Sequence, residues 1–236
     1  MPTIPRLYAS APLTPGATVP GTQAQAHYLG TVLRAHPQDT VLLFNGTDGE
    51  WRARIASLRR DRLVLTVDTE VRPQRPEPDL WLIFALLKRD ATDFVVQKAT
   101  ELGAAALHPV LTERSNAART NLDRLTAIAT EAAEQCERLT IPAIHPPARL
   151  PDVLAAWSPG RPLFAAIERA PDTAPLRPVA GPAALLVGPE GGFASTELEA
   201  LRRHPFVTGV SLGPRILRAD TACVTGLALL QAPRCG

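Results

Sequence analysis

The sequence predicts an α/β protein: a C-terminal domain built on a mostly parallel sheet, preceded by a small β-barrel. Two observations carry this. From Leu80 onward, short apolar runs alternate with helix-period segments, the pattern of strands joined by crossover helices. Before Arg72 the runs are strand-like, punctuated by turn residues and interrupted by a single helix pattern. Between them lies Arg72-Pro73-Gln74-Arg75-Pro76-Glu77-Pro78, a proline-spaced linker that is extended and semi-rigid. The expected domains are therefore residues 1-72 and 73-236.

In the first domain, Val41 to Phe44 and Trp51 to Ile55 flank Asn45-Gly46-Thr47-Asp48-Gly49, a hairpin signal. Leu63 to Val67 is a third strand, after the charged turn at Arg59 to Arg62. One helix over Gln23 to Ala35 is predicted from the apolar positions Ala24, Tyr28, Val32 and Leu33. Arg52, Arg54, Arg59, Arg60 and Arg62 cluster, and Arg52 and Arg54, two apart on one strand, point to the same face. That face suits RNA or simply solvent.

In the second domain, strands are predicted at Leu80 to Leu87, Ala105 to Leu111, Ala143 to Ile144, Leu163 to Ile167, Ala183 to Val187 and Val207 to Leu212. Helix Ala91 to Leu102 closes at Gly103. Asn121 caps a helix whose apolar positions from Leu122 to Leu139 fall three or four apart. A helix follows Gly192, with Thr196 and Glu199 in a capping-box pattern. The last helix, Ala219 to Gln231, is apolar nearly all round and hence buried in the domain or at a subunit contact.

Composition bounds the class. With 236 residues and 45% apolar content there is ample material for a core. No run is long enough for a membrane span, and the N-terminus has no apolar signal region, so a cytoplasmic protein is expected. Cys136, Cys223 and Cys235 form no metal-ligand pattern with the five histidines, so no metal is expected. The net charge of +2 does not announce a nucleic-acid partner. Only Lys88 and Lys98 are lysines, so the positive charge is nearly all arginine, which suits phosphate contacts and stacking on bases.

Two stretches organise the second domain. Ala183 to Val187 ends in Gly188-Pro189-Glu190-Gly191-Gly192, and Val207 to Leu212 ends in Gly213-Pro214. Glycines leave main-chain groups uncovered, so a ligand can approach closely. Two such loops at the ends of neighbouring strands make a wall for one pocket, the usual ligand position in open α/β sheets. Neither stretch holds the GK[ST] of a phosphate-binding loop, and no GxGxxG opens a helix.

GPEGGF followed by Glu197, then LGPRILRADTA, resembles the signature of the SPOUT methyltransferases that methylate N3 of a uridine in small-subunit ribosomal RNA. The segments R-x-Y at Arg6, LRA at Arg34, LFNG, ATELG, ERS and EQCER also resemble that family, covering nearly the whole chain. The resemblance implies a PUA-like RNA-binding barrel, a SPOUT domain closed by a trefoil knot, and a homodimer acting on 16S rRNA of the small subunit. It implies S-adenosylmethionine held at Leu186, Gly188, Pro189, Glu190, Gly191, Gly192, Leu212, Gly213, Ile216 and Leu217. Arg6, Arg34, Arg52 and Arg54 are the implied RNA contacts.

Attack by uracil N3 needs a proton removed and the resulting charge stabilised. Arg218, Arg114 and Arg138 match family motif positions as donors to a carbonyl oxygen. Glu134, Asp220 and Glu190 are the carboxylates available as bases. Glu134 and Arg138 also suit a plain i,i+4 ion pair, and Asp220 a helix cap. Four departures from the family pattern bear on the site: Ala219 lacks a threonine hydroxyl, Asp220 is a methylene shorter than glutamate, Ala194 replaces a serine, which moves the expected cap to Ser195 or Thr196, and the loop after the first strand reads Lys88-Arg89-Asp90-Ala91 where the family commonly has K-x-[DE]-[RK]. The competing readings are a SPOUT ribose 2′-O-methyltransferase and a catalytically silent RNA-binding assembly protein.

Overall fold

The computed structural model describes residues 4–115, 119–158, 160–167 and 173–231. Cys235 lies outside them. The chain divides into two compact units, one made of the chain up to Pro76 with Ala133–Ile141, the other of Glu77–Ala132 with the chain from Pro142 onward. The linear division at 72 did not foresee the return of Ala133–Ile141 to the first unit.

The first unit contains β1 (Arg6–Tyr8), β2 (Thr18–Gly21), α1 (Gln23–His27), β3 (Thr40–Phe44), β4 (Glu50–Arg59) and β5 (Arg62–Arg72). The sheet order is β1-β3-β4-β5-β2, with only β1 and β3 running parallel. Alternate residues of the strands point inward, so Val41, Leu43, Ala53, Ile55, Leu63, Leu65 and Val67 form one core with Leu7, Val19 and Leu29. The β3–β4 turn is set by its side chains. Asn45 Oδ1 accepts from the Thr47 and Asp48 amides, and Asp48 accepts from the Leu13 amide at 2.9 Å. The Leu13 bond, with a second from Asn45, holds the Asp48 carboxyl below its ordinary range.

The single predicted helix from Gln23 to Ala35 is shorter and differently faced. Thr22 and Gln25 form a capping box, and the α-helix ends at His27. A π turn over Tyr28–Val32 follows, and Arg34, with φ 54°, closes it in the left-handed region. Ala26 and Leu29 are the buried residues, whereas Tyr28, Val32 and Leu33 are exposed. The expected stripe lay on the solvent side because a pair three apart, small and easily overlooked, supplies the contact.

Arg6 ties Ala133–Ile141 into this unit. Its guanidinium donates to the Ala133, Glu134 and Arg138 carbonyls at 2.8, 2.8 and 3.0 Å, groups that a helix C-terminus leaves without partners. The same guanidinium meets Glu50 at 2.6 Å, and Arg72 meets Glu50 from the other side at 2.7 Å.

The second unit is an α/β sheet. Its elements are β6 (Leu80–Ala85), α2 (Arg89–Glu101), β7 (Ala106–Leu111), α3 (Leu122–Gln135), β8 (Ala143–Ile144), β9 (Ala148–Arg149), α4 (Leu150–Ala155), β10 (Leu163–Ala166), β11 (Ala174–Pro175), β12 (Ala183–Val187), α5 (Ser195–Arg203), β13 (Val207–Ser211) and α6 (Ala219–Gln231). The last turn of α3 packs with the first unit. The order is β11-β13-β10-β12-β6-β7-β8, every pairing parallel, with β9 beside β7.

The expected strands are present with ends trimmed by a residue or two, and Asn121 caps α3 by accepting from the Arg124 amide at 3.0 Å. Every residue of β12 is buried, as a central parallel strand requires. One face of the sheet carries Ile83, Val110, Leu163, Ala165, Ala184 and Leu186 against α4, Trp157, Phe193 and Leu201. On α6, Ala222, Cys223, Gly226, Leu227 and Leu230 are buried, one helical stripe. Gly226 permits close approach to β12, since a Cβ there would lie 2.5 Å from Leu185 Cδ2.

Candidate cofactor cleft and its surroundings

The two glycine-proline loops meet in one cleft of about 570 Å³. They do not end neighbouring strands, as the sequence suggested, because β10 lies between β12 and β13. The cleft sits at the carboxyl ends of all three, with Ala166 and Ile167 of the β10 end lining its centre. These two were not singled out from the sequence, since nothing local marks a strand inserted between two others. Leu198 of α5, with Ala219 and Ala222 of α6, completes the wall.

The first loop is a tight turn. Gly192 donates to the Pro189 carbonyl at 2.8 Å and takes φ 69°. Gly188 must stay small because a Cβ there would meet the Phe193 ring at 3.0 Å, and Phe193 is folded into the core beneath the loop. Ala194 remains the N-cap of α5, so the expected shift to Ser195 or Thr196 does not occur. Glu197 makes this possible. Its Oε2 accepts from the Ala194 amide at 2.9 Å, and its Oε1 accepts from the Glu113 amide at 2.9 Å. One carboxylate therefore fixes both the helix start and the segment carrying Arg114.

In the second loop, Ser211 Oγ donates to the Gly213 carbonyl and accepts from the Gly213 amide, at 3.2 and 3.3 Å. Gly213 has φ 131°, and a Cβ built on it meets nothing within 4 Å. The loop lies open toward the cleft, with Ile216 58% exposed.

The cofactor residues read from sequence all line this cleft except Leu186, which is buried in the core of the sheet. Val187, its neighbour, lines the cleft at the strand end. Arg114 reaches the first loop, donating from Nη1 to the Gly191 carbonyl at 2.9 Å. Arg218 is exposed between Leu217 and Ala219, both cleft residues. Asp220 accepts from the Thr221 amide at 2.6 Å on the first turn of α6.

Glu134 and Arg138 stand in the first unit and do not line the cleft. Glu134 accepts from the Tyr8 amide at 2.8 Å, and the buried Arg138 donates to Thr140 at 2.9 Å. Of the implied RNA contacts, Arg34 and Arg52 are exposed, and Arg54 is exposed but bonded to Asp68 at 2.8 Å. Arg6 offers no surface to RNA, its side chain being 6% exposed and filled with partners.

The cleft has the volume of a small-molecule site. Its walls combine uncovered main chain with Ile167, Val187, Ile216 and Leu217, and Glu190 and Arg215 are the charged residues among them. Such a lining suits a ligand with an apolar ring and hydrogen-bonding edges. Neither loop carries the GK[ST] of a phosphate-binding loop. Among the described residues no group of three or more His, Cys, Asp or Glu could hold a metal ion, and no helix is long and apolar enough to cross a membrane.

Fold and cleft together describe an α/β domain with a cleft of small-molecule size at a strand-order switch, in a chain that also carries a β-rich module. The RNA methyltransferase domain family matches residues 74–231, and the RNA methyltransferase PUA domain family matches residues 22–68. The ribosomal RNA small subunit methyltransferase E of Rickettsia conorii is 32% identical over 231 residues, which is 96% of this chain and 94% of that protein. A crystal structure of the Neisseria gonorrhoeae protein of that name, bound to S-adenosyl methionine, superposes with TM-score 0.88 at 30% identity, covering 98% of each chain. A putative methyltransferase from Legionella pneumophila, in complex with the bound cofactor SAM, superposes with TM-score 0.86 at 28% identity, again covering 98% of each. The chain belongs to the RNA methyltransferase family and carries that family's PUA domain at its N-terminal side.

Proposed function

We propose that the protein transfers a methyl group from S-adenosylmethionine to N3 of a uridine in 16S rRNA of the small ribosomal subunit. The observation that carries this is the meeting of the Gly188–Phe193 and Leu212–Leu217 loops in one cleft, with Arg114 bonded to Gly191 and Arg218 at the rim. Neither Gly192 nor Gly213 has an atom within 4 Å of a built Cβ, so both leave room for a ligand against the main chain. When bound, the cofactor supplies an electrophilic methyl on sulfonium.

The chain's own residues do the rest. The loop amides and carbonyls orient the ligand, and Ile216 and Leu217 cover its apolar part. Arg218 donates to a uracil carbonyl oxygen as negative charge develops on the ring. Asp220 or Glu190 accepts the N3 proton, directly or through water. Arg34, Arg52 and Arg54 of the PUA domain contact RNA. The same reading carries a trefoil knot through the second loop and α6, a homodimer, and a cytoplasmic site of action.

The test is calorimetry with S-adenosylmethionine, where one site per subunit is expected, followed by mapping of methylated uridines in rRNA from a deletion strain. One N3-methyluridine should vanish on deletion and return with the wild-type gene. Loss of a ribose methyl instead would assign the 2′-oxygen, and no cofactor binding would leave an RNA-binding protein without catalysis.

A further inference from the structure

A second cleft, of about 420 Å³, opens past the carboxyl end of β6. It is lined by Arg89 and Thr92 at the start of α2 and by Arg119, Thr120, Asn121 and Arg124 at the start of α3. Among the described residues, Arg89 and Arg119 have no carboxylate or hydrogen-bond partner, while Arg124 is paired with Asp93. Lys88 caps α2 without a side-chain bond, and the first bonded amide of that helix is Thr92, which donates to the Lys88 carbonyl at 2.9 Å. The amides before it have no intrahelical acceptor, and of their residues Arg89 lines the cleft. The hydroxyl of Thr120 is buried with no partner, and Thr92 Oγ1 donates to the Leu87 carbonyl at 3.0 Å, fixing the loop. Asp90 and Asp123 share these first turns but do not line the cleft.

Two unpaired guanidinium groups, the first residue of a helix and an orphan hydroxyl line one space. They recognise a group that only accepts hydrogen bonds, carries negative charge and has several oxygens. β6 pairs in parallel with β12, Phe84 beside Val187, so this cleft and the cofactor cleft both open at the carboxyl ends of the strands. We propose that it is a phosphate site that holds a backbone phosphodiester of the RNA while the acceptor base lies at the cofactor cleft. This rests on the RNA methyltransferase reading above.

The test uses the full chain, with R89A/R119A, R89Q/R119Q and R89K/R119K beside wild type. Affinity for an rRNA fragment that wild type methylates is measured over a salt series. Each lost single-strand phosphate contact should lower the log–log salt slope by roughly 0.7. The alanine and glutamine pairs should show that fall with unchanged cofactor affinity and melting temperature, and the lysine pair should keep the wild-type slope. An unchanged slope in a folded alanine or glutamine variant overturns the proposal. Titration with inorganic phosphate separates the sources. Saturable phosphate binding lost in R89A/R119A, with RNA binding intact, means a free-anion site and overturns the RNA assignment. If wild type methylates no RNA, the enzyme reading itself fails, a result independent of these slopes.

Discussion

In the proposed reaction Arg218 meets the substrate while Arg114 holds a loop. Arg114 is bonded to the Gly191 carbonyl, so its loss loosens a cofactor loop. The Arg218 side chain has no partner among the described residues and is exposed beside cleft residues. A donor used only as charge develops changes rate and not binding. Arg218→Ala should therefore keep near-normal cofactor affinity and lose on the order of 10²–10³ in single-turnover methyl transfer, with Arg218→Lys recovering part. A rate close to wild type would end that assignment. Arg114→Ala should instead weaken cofactor affinity, read in the same titration.

Glu50 is a buried carboxylate held between two arginines of the first unit. Its side chain is 4% exposed, and burial alone would raise its pKa. Hydrogen bonds from Arg72 and Arg6, with their charges, outweigh that and bring it below 4.5. A depressed carboxylate stabilises the fold above its ordinary value and loses that contribution as pH falls through the folded one. Glu50→Gln leaves the Arg6 guanidinium buried without its counter-charge, at a cost of about 3 kcal/mol near neutral pH. In denaturant unfolding, the gap between wild type and variant should narrow as acid protonates Glu50. A gap that does not change with pH would show that geometry, not charge, sets the cost.

Among the elements, the two loops proposed to hold the cofactor use glycine for different reasons. A Cβ on Gly191 would lie at ordinary contact, 3.5 Å from Arg114 Cδ. Gly213 has open space but φ 131°, a region that side-chain-bearing residues rarely adopt. Gly191→Val should fold with little change in melting temperature, yet lose at least about tenfold in cofactor affinity because the branched side chain occupies ligand space. Gly213→Val should lose affinity and also about 1–3 kcal/mol of stability from backbone strain. Equal melting temperatures for the two variants would show that the loop relaxes around Gly213. Wild-type cofactor affinity in Gly191→Val would remove that loop from the site.

At the scale of the molecule, acid stability in the second unit should run through His108. Its ring stacks on His145 at 4.0 Å and lies 4.9 Å from Trp81, and its Nε2 is buried without a partner. Desolvation, aided by the charges of His145 and Arg161, pushes its pKa down from 6.5 to about 4. A histidine kept neutral in the fold but free to protonate when unfolded favours unfolding as pH falls from 6.5 toward 4. His108→Phe keeps an aromatic ring in the stack and removes the titration. The pH dependence of its unfolding free energy should be flatter than wild type in that window and parallel above it. An identical slope in the two proteins would place the acid sensitivity elsewhere.

Local patterns alone specify the sheet class, both glycine loops and, to within a residue or two, the second-unit strands other than β9 and β11, two residues each, which carry no such pattern. These are local properties: apolar runs, turn residues and caps act over a few residues, and β12 is apolar throughout because it is buried on both faces. They did not determine that β10 separates β12 from β13, that Ala166 and Ile167 line the cleft, or that Leu186 turns away from it. Strand order is a choice among long-range pairings that no short pattern records. The same limit explains Arg6, Glu134 and Arg138, whose motifs suggested RNA contact or catalysis. The return of Ala133–Ile141 to the first unit decides their partners instead. Glu197 shows the two levels meeting. The sequence placed the cap at Ser195 or Thr196 with Glu199, whereas Glu197 keeps it at Ala194, and the Glu113 amide that shares its carboxylate lies 84 residues away in the chain and is supplied only by the fold.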